Sequence, residues 1–171
     1  MNFGNQLPGT ELGSEAARKR MNSEPYSAFI HLQLAWALTN EEMYTEALSE
    51  WERIRKNDPG TNENYFFLIE NAKTLARSGR PDEALRKLEE VKVLLAKDNI
   101  MDSSYESAKV YSLLGDKDTA FQFLELAYEN HHPSMFWLSI DDCFLNLYGD
   151  PRFEDLRKKV GFPDVSTAGK R

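Results

Sequence analysis

The chain has little that could tie it covalently or anchor it in lipid. Its one cysteine, Cys143, excludes an internal disulfide and a cysteine-built zinc site, and fits a reducing compartment. The opening MNFGNQLPGTELG lacks a basic start followed by an apolar stretch. No uncharged apolar run approaches the ~20 residues that a membrane span needs, so the chain reads as soluble and cytoplasmic, with no membrane partner. Positive charge is also in deficit: 21 Lys and Arg face 28 Asp and Glu, a net charge of −7, which disfavours a nucleic-acid partner held through phosphate contacts. No glycine-rich phosphate loop precedes a strand, no strand pattern is visible, and no Ser or Cys nucleophile has a placed base. Neither catalysis nor a cofactor is expected.

What is present suits one domain. With 41% hydrophobic and 12% aromatic residues over 171 positions, the chain can bury about 70% of its unfolded surface. Residues 1–24 are rich in Gly, Asn, Pro and Ser and read as a flexible or partly helical N-terminal segment, as if the chain began inside a longer protein. Within it, Ser14 to Asn22 fits a short helix over the first structural unit.

One internal period runs through the chain. Ala47, Ala84 and Ala120 are 37 and 36 residues apart, and each precedes a large apolar residue, Leu48, Leu85 or Phe121. Ala35, Ala72 and Ala108 precede them by 12 residues each, followed three positions later by Leu38, Leu75 and Tyr111. Four residues after the first set stand Trp51, Leu88 and Leu124, and seven after it Ile54, Val91 and Ala127. Spacings of three, four and seven place these on one helical face. Each unit therefore reads as two antiparallel helices whose alanines let the backbones approach closely.

Turn chemistry falls where such hairpins need it. Ser78-Gly79-Arg80-Pro81 and Leu114-Gly115-Asp116 separate the two alanine sets, with Pro81 suited to a first helical residue. The first unit carries Asn40-Glu41-Glu42 there, without a glycine. Asn57-Asp58-Pro59-Gly60 breaks the chain between units, and Ser103 with Glu106 forms a capping-box pattern opening the third.

These alanine spacings, the large apolar residue after each Ala47-type position and the Pro59 terminator resemble the tetratricopeptide repeat family over roughly residues 26–132. The family's period is 34 residues, so the inter-unit loops are a little long, and His31, Leu68 and Ser104 stand where its first-helix tryptophan would be. The resemblance implies an all-α fold, an α-α superhelix of three helix pairs at about 25–59, 62–97 and 102–131, together spanning 25–132. Residues 133–163 follow as a C-terminal helical cap and 164–171 as a disordered tail. Asp150-Pro151 starts a final helix that ends at Lys158, Lys159, Gly161 and Pro163. This ending resembles the closing segment of tetratricopeptide regions in bacterial signalling and regulatory proteins, and it would cover the apolar end of the last repeat.

His131, His132, Asp141, Asp142 and Cys143 could suggest a metal site. The histidines are explained by a helix C-terminus and Ser139 with Asp142 by a capping box, so no metal is expected. The stronger candidate is a surface. Phe29, Leu32, Trp36 and Thr39 on the first helix recur as Phe66, Ile69, Lys73 and Ala76, then as Asp102, Tyr105, Lys109 and Ser112, with Asn40 and Arg77 at the edge. In the resembled family the corresponding inner surface binds peptides. The implied function is a protein-protein interaction module without catalysis, its groove formed by Phe29, Leu32, Trp36, Asn40, Phe66, Ile69, Lys73, Arg77, Tyr105, Lys109 and Ser112. Lys73, Arg77 and Lys109 favour an acidic partner, whereas burial by the N-terminal segment or an ordinary solvated face is the bland alternative. Members that clamp acidic chaperone tails use lysines and asparagines where Leu32, Trp36 and Glu70 stand, so that specificity does not carry over. A scaffolding or self-associating region of a larger regulatory enzyme or signalling protein is the alternative function, and it would bring homo-oligomerisation.

Overall fold

The computed structural model of the protein describes residues 13–22, 27–58, 60, 64–98 and 103–162. The expected tail at 164–171, residues 1–12 and 23–24 of the N-terminal segment, Pro59, Asp102 and Pro163 lie outside them. Among the described residues every regular element is helical and there is no strand. The order is α1 (Ser14–Met21), α2 (Ala28–Asn40), α3 (Tyr44–Asn57), α4 (Tyr65–Arg77), α5 (Pro81–Asp98), α6 (Ser104–Leu113) and α7 (Lys117–Glu129). Two 3₁₀ turns, Pro133–Trp137 and Asp142–Leu147, then lead to α8 (Pro151–Val160). No helix among them is long and apolar enough to cross a membrane.

The chain folds as three hairpins, α2 with α3, α4 with α5 and α6 with α7, and α1 packs on α2. All six repeat alanines, Ala35, Ala47, Ala72, Ala84, Ala108 and Ala120, are fully buried. A methyl group at each of these positions keeps the helix axes close, and a larger side chain would force the paired backbones apart. Trp51, Leu88 and Leu124 fill the adjoining space, with Ile54, Val91 and Ala127 one turn further along. The short helix expected over the first unit is α1, whose buried Ala17 meets Leu34, Leu38 and Ala47.

One turn geometry recurs at each reversal. Glu42, Gly79 and Gly115 all have positive φ, at 60°, 74° and 81°. The next residue donates its amide back to the carbonyl five positions earlier, Met43 to Leu38, Arg80 to Leu75 and Asp116 to Tyr111. His131 (φ 52°) and Gly161 (φ 101°) end α7 and α8 in the same way. Asn40-Glu41-Glu42 is therefore the same turn without its glycine. Pro81 is the first residue of α5, and the Asp150 side chain accepts from the Arg152 amide at the start of α8.

Two expected caps differ. The side chain of Ser103 makes no capping hydrogen bond, and Glu106 faces Lys109 instead of reaching back. Ser139 is not a cap either: its hydroxyl accepts from Arg157 Nε at 2.9 Å, while Asp141 caps the second 3₁₀ turn by accepting from the Cys143 amide at 3.1 Å. Arg157 takes the Ser139 hydroxyl, so the neighbouring carboxylate serves as the cap. The segment from 133 covers α6 and α7 with Met135, Leu138, Phe144, Leu147, Phe153 and Leu156, all buried.

A left-handed residue with a side chain costs about 1–2 kcal/mol, and a glycine in the unfolded chain gives back about 0.4–1 kcal/mol of that gain through entropy. Glu42→Gly should therefore stabilise the protein by about 0.5–1 kcal/mol and raise the thermal midpoint by about 1–4 °C, measured by circular dichroism.

Candidate functional site: the face of α2, α4 and α6

The first helices of the three pairs stand side by side, α4 between α2 and α6. Buried hydroxyls link the first two: Thr39 Oγ1 and Thr74 Oγ1 lie 3.1 Å apart, and Trp51 Nε1 donates to Thr74 Oγ1 at 3.0 Å. Where the resembled family has its tryptophan, His31, Leu68 and Ser104 are all buried. His31 Nδ1 meets the buried Glu50 carboxylate of α3 at 2.6 Å, so a polar pair joins this hairpin where an indole would otherwise pack.

The structure divides the eleven sequence-predicted groove residues into three groups. Leu32, Ile69, Tyr105 and Ser112 are buried between elements and line no open surface. Offsets of three and four along a helix alternate between the exposed side and the seam with the neighbouring helix, which is why one stripe held both kinds. Tyr105 stacks on His132 and meets Phe144 edge-on, and the Ser112 hydroxyl donates to the Cys143 carbonyl at 2.8 Å. Phe29, Trp36, Asn40 and Phe66 are exposed, with Phe29 at 57% and Trp36 and Phe66 at 37% each. The Trp36 and Phe66 rings meet edge to face at 5.7 Å.

Lys73, Arg77 and Lys109, the third group, are half-buried and paired. Trp36 Nε1 donates to Glu70 at 2.9 Å, and Lys73 Nζ donates to both oxygens of the same carboxylate at 2.8 and 3.1 Å. Lys109 Nζ lies 3.2 Å from Glu106, 3.0 Å from Asp141 and 4.9 Å above the Tyr105 ring. Arg77 holds Asp142 at 2.8 Å. A line of alternating charge thus runs from Trp36 to the second 3₁₀ turn. Sequence reasoning missed Glu70 and Glu106 as its members, although each precedes its lysine by three residues, a spacing that pairs charges on a helix. Asp141 and Asp142 come from a distant turn and carried no such signal.

The charges reinforce one another. Burial by itself would depress Lys73, but the Glu70 carboxylate outweighs it and holds the ammonium well above the ordinary lysine range. Burial likewise opposes ionisation of Asp141, yet the Lys109 charge and the Cys143 amide keep its carboxyl below the usual value. The Cys143 thiol is pushed up to about 12, first by burial and then by the adjacent Asp141 and Asp142 charges.

Of the five residues that could suggest a metal, Asp141, Asp142 and Cys143 come together, with one ligand atom of each within 4.8 Å of the others. His131 and His132 are not in this group: His132 Nδ1 accepts from the Ser134 amide at 3.1 Å. Each carboxylate faces a cation, Asp141 beside Lys109 and Asp142 beside Arg77. The sequence matches no family model and no curated protein.

A depressed folded-state pKa stabilises above the unfolded carboxylate value of about 3.9 and loses that effect as pH falls through the lower folded value. Urea unfolding between pH 7 and pH 2 should therefore show an acid limb below about pH 4. Asp141→Asn should make this limb shallower and cost about 1 kcal/mol at pH 7, because Lys109 loses one of its two carboxylates while the amide oxygen of Asn still accepts from the Cys143 amide. An unchanged limb in the variant would remove Asp141 from this role.

Proposed function

We propose that this protein is a non-catalytic binding module of the tetratricopeptide type, a superhelical array of three helix pairs that holds a protein or peptide segment on the face of α2, α4 and α6. The 36- and 37-residue period, the six buried alanines and the repeated hairpin turn support the repeat reading. The observation that carries the binding reading is the exposed aromatic set Phe29, Trp36 and Phe66 on that face. Water is an unfavourable surrounding for three large rings, and an exposed aromatic pair such as Trp36 and Phe66 anchors partners. Beside them lie Lys73, Lys109 and Arg77, so the partner combines an apolar anchor with carboxylates further along. Neither a nucleic acid nor a lipid surface suits a chain with a net charge of −7.

Self-association within a larger regulatory or signalling protein is the second reading. It rests on the outer side of the 133–162 segment, where Phe136, Trp137 and Ile140 are 63%, 48% and 60% exposed. A segment that only closed a repeat array would be polar there.

The deciding experiment selects binders from a random peptide display library on the wild-type chain and measures their affinity for a Trp36→Ala, Phe66→Ala variant of equal helicity. Peptides with an aromatic or aliphatic anchor should be selected, and the variant should bind them at least tenfold more weakly. Equal affinity would place binding elsewhere, and sedimentation of the free chain as a dimer that Trp137→Ser dissolves would favour the second reading.

A further inference from the structure

The cation half of the α2/α4/α6 face is already occupied by the chain itself. Leu138 and Phe144 are fully buried and fix the ends of a short turn that crosses α6 and reaches α4. Between these anchors Ile140 is 60% exposed and Asp142 meets Arg77 at the surface with 58% of its own side chain in water, while Asp141 is largely buried and Cys143 sits 2% exposed at the turn's C-terminal end. What holds the turn is polar. Asp141 meets Lys109 at 3.0 Å and the Tyr105 hydroxyl at 3.4 Å, Asp142 meets Arg77 at 2.8 Å, and Ser112 grips the Cys143 carbonyl. Two adjacent carboxylates thus lie across two helices, one on each cation, as an incoming acidic segment would lie.

Resting on the binding reading above, we infer that the turn from Ser139 to Cys143 is an internal competitor that occupies the site for a partner segment carrying two adjacent carboxylates, and that such a segment binds by displacing it. The exchange is balanced in kind: Arg77 and Lys109 give up one pair of carboxylates and accept another, so the bound state leaves no uncompensated buried charge. Local opening is confined to residues between two buried anchors, and the exposed Arg77–Asp142 pair, screened by solvent, is the weaker end from which it begins. Displacement uncovers Cys143, now 2% exposed and the protein's only thiol, which makes the exchange directly readable.

The probe is a synthetic peptide spanning residues 139–147 with Cys143→Ser, compared with the same peptide carrying Asn at both aspartates. On the wild-type chain the acidic peptide should speed reaction of Cys143 with a disulfide reagent at least tenfold, saturating with peptide concentration, while the amide peptide leaves the rate unchanged. Asp142→Asn in the protein, a change at an exposed side chain, should tighten binding of the acidic peptide at least threefold, and Arg77→Gln should abolish it. A thiol rate indifferent to the acidic peptide, or equally raised by the amide peptide, overturns the inference. If display-selected peptides bind at Trp36 and Phe66 but never expose the thiol, the inference fails while the binding reading stands. If the acidic peptide exposes the thiol and nothing binds the aromatic set, the inference stands and the aromatic anchor fails.

Discussion

The structure depends on how closely two helices can approach when an alanine stands at their crossing. All six repeat alanines are fully buried; Ala72 with Ala84 and Ala108 with Ala120 share the core of their hairpins, while in the first hairpin Ala35 packs with Trp51 and Ile54, and Ala47 with Leu34, Leu38 and Ala17. Close packing there recovers dispersion contacts that a wedge would forfeit, and it sets where the larger residues beside the crossing can reach. Trp51, Leu88 and Leu124 then fill equivalent spaces in successive units, so one constraint, applied three times, orders most of the chain. Substitution by a larger residue at any of the six would be felt along a whole hairpin, since two rigid rods cannot part at one point only.

Electrostatics on the α2/α4/α6 face follows a different rule from the core. Lysines there are too deeply placed to be held by solvent, and each has a carboxylate within reach, so the face is charged group by group yet nearly neutral along its length. Burying an ion is tolerable only with a partner in good geometry, and the Glu-x-x-Lys spacing on α4 and α6 supplies one from the same helix. In α2 the equivalent positions are Gln33 and Trp36, so the alternation stops and an indole N–H takes the place of an ammonium as the donor to Glu70. The face therefore changes from ionic to aromatic between α4 and α2.

Much of this was legible beforehand because the signals were local and repeated. The alanine period, the glycines at 79 and 115, Pro81 and the Asp150 cap each act through the backbone or through one helical face, and those are properties that spacing encodes. Ser103 and Ser139 resembled caps because the pattern of a cap is short enough to occur without its geometry. The segment after Pro133 could be recognised as covering the last pair, but not as two 3₁₀ turns whose acidic tip spans α6 and α4, since that contact joins residues 65 positions apart. Leu32, Ile69, Tyr105 and Ser112 shared a stripe with exposed residues because a helix one turn wide presents both a seam and a surface. Which of the two a side chain faces depends on the neighbour's placement.

The recurring left-handed turn also bears on how the chain acquires its shape. Each reversal is closed by a hydrogen bond spanning five residues, and each hairpin joins helices that adjoin in the chain, so little loop entropy must be lost before apolar contacts form. Such a molecule has low contact order and folds through steps that do not wait for distant parts of the chain to meet. During synthesis each hairpin can form as it leaves the ribosome, in chain order, with the 133–162 segment, whose contacts reach back to α4, the last to find its place.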